Sequence, residues 1–129
     1  MMTLALAALL QSAAEPVKEP EVDNEILVIG RKLQDWRGTW RLNDGTVSCK
    51  TRRSTGDKAI DAIGCDAMVQ CIAPIAPDFA AIEDAKLPKT EAQQRANLLL
   101  ESAKIGDCIF AKREAGIAAL AAERRSKRP

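Results

Sequence analysis

The sequence contains no histidine and no tyrosine, and it has only two tryptophans and two phenylalanines among 129 residues. Without histidine, the chain cannot build a Ser-His-Asp or Cys-His catalytic centre or a histidine-ligated metal site. Because aromatic side chains are so few, the core must be aliphatic, and the abundant alanine favours helix while burying little area per residue. We therefore expect a thin core that is stabilised by cross-links.

The charges nearly balance, with a formal net charge of +1, but they are spread unevenly along the chain. Residues 15–25 hold five carboxylates and a single lysine, and two prolines interrupt them. This composition predicts a disordered acidic linker over residues 15–24. The remaining length suits one domain, which we place at residues 25–125, followed by a basic tail at 126–129.

An uncharged apolar run at residues 3–10 is followed by Ser12, Ala13 and Ala14. An apolar run of this length before small residues is typical of a signal peptide, so we predict cleavage of residues 1–14 near Ala14. The alternative is an ordinary amphipathic N-terminal helix. The run is too short to cross a bilayer, and no transmembrane segment is expected in the mature chain. Export predicts a periplasmic or secreted protein whose cysteines form disulfides.

Four cysteines allow three pairings. A predicted helix that starts after Asp57 carries Cys65 and Cys71, which would lie about 9 Å apart, beyond the reach of a disulfide. A strand that rises from Cys49 and a helix that descends from Asp57 bring Cys65 level with Cys49. We therefore predict Cys49–Cys65 and Cys71–Cys108. Since the spacing contains no C-x-x-C, neither a metal site nor a redox pair is expected, and no cofactor is implied.

An Asn43-Asp44-Gly45 turn between two alternating segments predicts a β-hairpin with strands over 39–42 and 46–51. The rest of the domain predicts helices over 57–72, 78–85, 91–104 and 114–125, with a capping box at Thr90 and Gln93 and possible breaks at Gly106 and Gly116. The predicted fold is α+β, in which a short antiparallel hairpin or three-stranded sheet packs on three to four helices with two disulfides.

Before the hairpin, Glu25, Ile26, Leu27, Val28 and Ile29 form a short apolar run that ends at a glycine and predicts a strand. The segment resembles the E-I-V-V-T-G-x-R stretch of TonB-dependent outer-membrane receptors, which is an extended peptide able to add as a strand to a periplasmic partner. That resemblance implies strand addition through these residues. The pattern itself favours a strand of the protein's own sheet.

The mature chain also resembles a group of small exported proteins of Gram-negative bacteria that share a VIGRKL…WRGTW…C…AIDAIGC…C pattern. This resemblance implies a periplasmic location and says nothing about chemistry.

An aromatic and cationic cluster precedes the turn and consists of Trp36, Arg37, Trp40 and Arg41. One interpretation is a binding face, in which indoles stack on a sugar or base and arginines hold phosphate or carboxylate. The other is that the indoles belong to the core and the arginines extend outward. Further cations follow in a turn, Arg52 and Arg53, and in the tail.

These features predict a small non-enzymatic envelope protein that binds another protein or the envelope surface, through the Trp/Arg hairpin or residues 25–29. An alternative is a binder of anionic lipid or polysaccharide that uses Arg52, Arg53 and the basic tail. No nucleic-acid partner is expected. A second alternative is a carboxylate-dependent hydrolase based on Asp57 and Asp61, although a helix cap and a solvated face explain that pair more simply.

Overall fold

The computed structural model describes the backbone of residues 20–128 and the side chains of residues 24–128. The predicted signal peptide and residues 15–19 of the predicted linker lie outside the described residues. In chain order the elements are α1 (Pro20–Gln34), β1 (Arg37–Asn43), β2 (Thr46–Arg53), α2 (Lys58–Ile72), a 3₁₀ turn (Ala73–Ile75), α3 (Ala76–Asp84), α4 (Lys89–Ser102) and α5 (Ile105–Ser126). An antiparallel two-stranded hairpin packs on helices, which confirms the α+β class. The described residues form five α-helices, whereas three to four are predicted from the sequence.

The additional helix is α1, and the strand predicted over residues 25–29 is wrong. Ile29, Leu33 and Trp36 recur at spacings of four and three residues, which is the period of one helix face. All three side chains are buried. The helix α1 begins at Pro20, within the segment 15–24 for which a disordered linker is predicted. The apolar run is therefore part of an amphipathic helix that packs on the core.

The hairpin turn lies at Asp44 and Gly45, whose φ angles are 49° and 80°. Positive φ at both central positions is the requirement of a two-residue type I′ turn, which Asp-Gly satisfies. In the register of the hairpin, Trp40 lies opposite Cys49. The predicted hairpin is confirmed, and both strands extend beyond their predicted bounds.

Two apolar clusters form the core of residues 24–128. The first joins α1, α2 and α5 through residues such as Ile29, Ile60 and Ile117. The second joins β2, the end of α2, α3 and the start of α5, with Phe79 and Ile105 among its members. Because α2 contributes to both clusters, it is the central element of the domain.

Each cluster carries one disulfide. Cys49–Cys65 packs on the first cluster with a Cα–Cα distance of 5.4 Å, and Cys71–Cys108 belongs to the second with a distance of 5.9 Å. Both predicted pairings are confirmed, and all four cysteines are bridged. The hairpin and the C-terminal helix are thus each covalently tied to α2.

Two sequence expectations about the C-terminal helices are wrong. The capping box is absent, because α4 begins at Lys89 and places Thr90 inside its first turn. The breaks at Gly106 and Gly116 are absent as well, since α5 is continuous. The chain reverses between the two helices at Lys104, which has a φ of 53°.

Asp57 joins the start of α2 to the end of α5. Its carboxylate accepts hydrogen bonds from the backbone N–H groups of Ala59 and Ile60, as an N-cap does, and it pairs with Arg124 at 2.7 Å. The hydrogen bond from Arg124 is the largest cause that holds the pKa of Asp57 below its ordinary value of 3.8, and the backbone donors add to it. The ionised carboxylate therefore stabilises the folded protein.

We expect Asp57→Ala to lower the free energy of unfolding by about 1 kcal/mol at neutral pH, because α2 loses its cap. A lowered folded-state pKa contributes stability above the unfolded pKa, and this stability is lost as pH falls through the folded pKa. The difference between wild type and variant should therefore narrow below the ordinary value of 3.8. Urea denaturation of wild type and variant at neutral pH and near pH 3 measures the difference in the free energy of unfolding at each pH. Asp57→Asn keeps a capping oxygen, so it should lose less stability than Asp57→Ala at neutral pH. A stability difference between wild type and Asp57→Ala that does not change with pH would contradict the expectation.

Candidate functional site

The hairpin presents one face to the helices and the other to solvent. Successive strand residues point to opposite sides, and exposure alternates along both strands accordingly. Trp40 and Val47 lie on the inner face with the core clusters, whereas Arg41, Lys50 and Arg52 are exposed on the outer face. The outer face is therefore entirely polar.

Five exposed cations gather on the outer face and at the open end of the hairpin: Arg37, Arg41, Lys50, Arg52 and Arg53. The two strands contain no acidic residue. None of the five cations takes part in an ion pair with a carboxylate of the described residues. We call this set the basic face.

Two arginines of the basic face lie directly opposite each other, because the register pairs Arg37 with Arg53. Like charges at directly opposed positions destabilise a sheet, and a bound anion relieves that repulsion. Arg37 donates from Nη1 to the carbonyl oxygens of Gln34 and Trp36, both at 2.8 Å, and Arg52 donates from Nε to Thr39 Oγ1 at 3.0 Å. These bonds hold the guanidinium groups in place and leave further donors on each for an anion.

Four of the five cations were candidates from the sequence, but in two separate groups, Arg37 with Arg41 and Arg52 with Arg53. The hairpin brings the two groups together. Sequence reasoning missed Lys50, although its alternation with Cys49 in the predicted strand was a signal that it points outward.

The two tryptophans do not share the basic face. Trp36 is only 2% exposed and donates from Nε1 to Thr51 Oγ1 at 3.0 Å. Trp40 lies on the inner face, with its ring centroid 4.9 Å from that of Phe79. Both indoles contribute to the core, as in the second interpretation of the Trp/Arg cluster, and the cations extend outward without them.

Three cations at the end of α5 and in the basic tail are paired with carboxylates, in contrast to those of the basic face. Arg124 pairs with Asp57, Lys127 with Glu123 at 3.0 Å, and Arg128 with Glu25. Such pairs reduce the net charge that the tail offers to an external anion. The tail therefore contributes less to an anionic contact than the sequence suggests.

Asp57 and Asp61 are engaged in local structure. Asp61 accepts hydrogen bonds from Ser54 Oγ and from the backbone N–H and the hydroxyl of Thr55, and these bonds lower its pKa, with that of Ser54 the largest cause. Two-carboxylate hydrolysis requires one carboxyl group with a raised pKa that stays protonated. Since the pKa values of both groups are lowered, this pair suits capping and turn formation.

A groove of about 530 Å³ runs between α1 and α5 on the surface of the first cluster. Three exposed apolar side chains line it: Ile26, Leu27 and Phe110, of which Leu27 and Phe110 are 56% and 66% exposed. We call it the α1/α5 groove. A cleft of the same size lies between the hairpin, α3 and α4, with Trp40 and Phe79 in its lining.

Comparisons of the chain with protein-family models, curated proteins and solved structures found no match. The two disulfides indicate an oxidising, extracytoplasmic environment. Within the described residues, no group of three or more cysteine, aspartate or glutamate side chains is arranged to hold a metal ion.

One helical run of the described chain, Lys58–Asp84, is long and apolar enough to cross a membrane by length and composition. It comprises α2, the 3₁₀ turn and α3. The central helix of a folded domain meets the same criteria. Both disulfides tie α2 to other elements, and its buried residues face them, which is the arrangement of a core helix.

Proposed function

We propose that this protein is a non-enzymatic binding module of the cell envelope that attaches to an anionic surface, either lipid or polysaccharide, through its basic face. The observation that carries the proposal is the set of five exposed cations on two strands that contain no carboxylate. The proposal includes a periplasmic or secreted location after cleavage near Ala14. The disulfides and the apolar N-terminal run support that location.

An anionic surface suits the basic face because its phosphate or carboxylate groups repeat, as the cations do. Each lysine or arginine near an anionic membrane surface contributes about 1 kcal/mol, so five cations together contribute roughly 5 kcal/mol at low salt. Arginines also bind phosphate and carboxylate groups in a bidentate manner. The attraction is screened within about 10 Å at 0.1 M salt, so binding must weaken as salt rises.

We expect the double variant Arg41→Glu, Lys50→Glu to bind anionic vesicles at least about 30-fold more weakly than wild type, since two contributions of about 1 kcal/mol are lost. Co-sedimentation with vesicles that contain phosphatidylglycerol measures the affinity, and a parallel arm uses an acidic polysaccharide. The two arms distinguish a lipid surface from a polysaccharide. Wild-type binding should be absent on zwitterionic vesicles and should fall steeply with added salt.

The matched control is Lys89→Glu, Lys112→Glu, which changes the net charge by the same amount on α4 and α5. This control should keep most of the binding, because it leaves the basic face intact. Equal losses in the two double variants would show a general effect of net charge and would contradict a site on the hairpin. Binding that does not change with salt would contradict the electrostatic basis.

A second candidate function is binding of another protein, and the exposed side chains of the α1/α5 groove favour it. Ile26 and Leu27 belong to the segment for which strand addition was predicted. In α1 the backbone N–H and C=O groups of this segment are used within the helix, so they are not free to pair with a partner strand. The segment therefore offers side chains to a partner rather than a strand edge.

A further inference from the structure

We propose that the α1/α5 groove docks an amphipathic helix of a partner protein, whose apolar side chains enter the groove and whose carboxylate pairs with Arg113. This inference rests on the second candidate function and names the kind of partner. It uses other residues than the basic face, although Arg37 of that face lies near Arg113. The shape of the groove, its exposed apolar side chains and its charges support this proposal.

The groove has the shape that a helix requires. Its walls are two antiparallel helices, since Arg128 meets Glu25 at one end and Arg113 lies over Trp36 at the other. The lining covers residues 26–34 of α1 and 110–118 of α5. Each wall is therefore about two helical turns, or roughly 12 Å, long. A groove of this kind accepts side chains at spacings of three, four and seven residues from a docked helix.

Gly30 lines the floor of the groove and contributes no side chain to it. A Cβ atom on Gly30 would lie 3.9 Å from Ile117 Cδ1, so a methyl group fits there without a clash. Because Gly30 has no side chain, a large apolar side chain of a partner can reach the floor between Leu27 and Phe110. These two residues are more than half exposed and would form the rims of the contact.

The charge of the groove selects an acidic partner. Arg31 and Arg113 line it with a single carboxylate, Glu114. The guanidinium carbon of Arg113 lies 5.4 Å from the centroid of the Trp36 ring, and its Nε is buried without a hydrogen-bond partner among the described residues. Burial first, and then the nearby Arg37, lower the pKa of Arg113. Since Arg113 is half-buried and lines the groove, a partner carboxylate in the groove would supply the opposite charge at this position.

The test uses three synthetic amphipathic peptides of about 18 residues as probes, with the same leucine face and with glutamate, glutamine or lysine beside that face. Fluorescence polarisation of labelled peptides measures their affinity for the disulfide-bonded protein. We expect the glutamate peptide to bind at least about 10-fold more tightly than the lysine peptide. Arg113→Gln should remove this preference, whereas Lys112→Gln, the same charge change at the adjacent position, should keep it.

Two further variants address the apolar part of the contact. Gly30→Leu fills the floor and should weaken all three peptides at least about 10-fold. Phe110→Glu acts at an exposed position, so it tests the same point if Gly30→Leu does not fold, as circular dichroism will show. Wild-type affinity in both variants, or equal affinity for the three peptides, would overturn the proposal.

Other occupants of the groove give different results. A concentration-dependent dimer in sedimentation velocity that Phe110→Glu abolishes would identify a second copy of the chain as the occupant and overturn the partner helix. Vesicle binding is measured on the same variants. We expect the Arg41→Glu, Lys50→Glu variant to keep its affinity for the peptide and the Phe110→Glu variant to keep its affinity for vesicles. These results would show that the two proposals can be tested separately.

Discussion

Replacement of Gly64 by alanine should lower the free energy of unfolding by about 2 kcal/mol, although alanine is normally the better residue in a helix. A Cβ on Gly64 would lie 2.6–2.7 Å from Cδ2, Cε2 and Cε3 of Trp36, and the first two of these atoms form the bond shared by the two rings. Overpacking of this kind costs about 3 kcal/mol, and the helical preference of alanine over glycine returns about 1 kcal/mol. The net effect is a clear loss of stability.

The indole cannot move aside to relieve this clash. A Cβ on Gly38 would lie 2.3 Å from Cη2 of the ring, so the indole also packs tightly on the backbone of the hairpin. Its Nε1 is also held by Thr51. Strain introduced at Gly64 must therefore be absorbed by the backbone of α1 or of the hairpin.

Urea denaturation followed by tryptophan fluorescence and circular dichroism measures the effect. The matched control is Gly106→Ala in the first turn of α5, where no atom lies within 4 Å of an added Cβ. Gly106→Ala should leave stability unchanged or raise it by up to about 1 kcal/mol. If Gly64→Ala is as stable as Gly106→Ala, then the ring of Trp36 does not pack on α2 as described.

Removal of the disulfides should have the largest effect of all. The chain-entropy relation gives about 3 kcal/mol for Cys49→Ala, Cys65→Ala and about 4 kcal/mol for Cys71→Ala, Cys108→Ala, because the second bridge closes a longer loop. The sequence separations are 16 and 37 residues. The combined loss of about 7 kcal/mol is a large part of the roughly 5–15 kcal/mol by which small domains are stable. Because this core is thin, we expect the protein without both bridges to be unfolded at room temperature.

Chemical denaturation of the two double variants under identical conditions checks the values and their order. Reduction of the wild-type protein should lower the free energy of unfolding by the sum of the two losses. Reduction of either double variant should lower it only by the contribution of the disulfide that the variant still has. The opposite order of stability, or a reduced protein that keeps its cooperative unfolding transition, would show that the aliphatic core is sufficient without cross-links.

The disulfide pairing could be predicted because it depends on local geometry. The rise per residue of a strand and of a helix are fixed, and a short turn joins β2 to α2, so Cys65 had to return to the level of Cys49. The turn at Asp44 and Gly45 was predictable for a similar reason, since few residue pairs adopt positive φ at both positions.

The conformation of α1 was not predicted because a five-residue apolar run fits a strand and a buried helical segment equally well. The signal that decides between them lies further along the chain. Leu33 and Trp36 continue the helical period from Ile29, and all three contact the same cluster. A strand at residues 25–29 is incompatible with the α1/α5 groove, because the groove requires two helices that are far apart in the sequence.

The basic face could be predicted only in part from the sequence. The outward direction of Arg41 follows from alternation alone. The pairing of Arg37 with Arg53 does not, because it requires both strands to extend past their predicted ends and includes an irregularity between Arg37 and Gly38. Long-range pairing sets the length of the strands, and single-residue propensities do not contain that information.

The order of the cysteines along the chain has a consequence for biogenesis. The first cysteine pairs with the second and the third with the fourth, so no bridge encloses or crosses the other. An oxidant that joins thiols in the order in which they emerge from a translocation channel would produce the correct product at once, without an isomerase to exchange mispaired sulfurs. Successful secretion of this protein should therefore depend on an oxidising catalyst and tolerate the loss of a shuffling one.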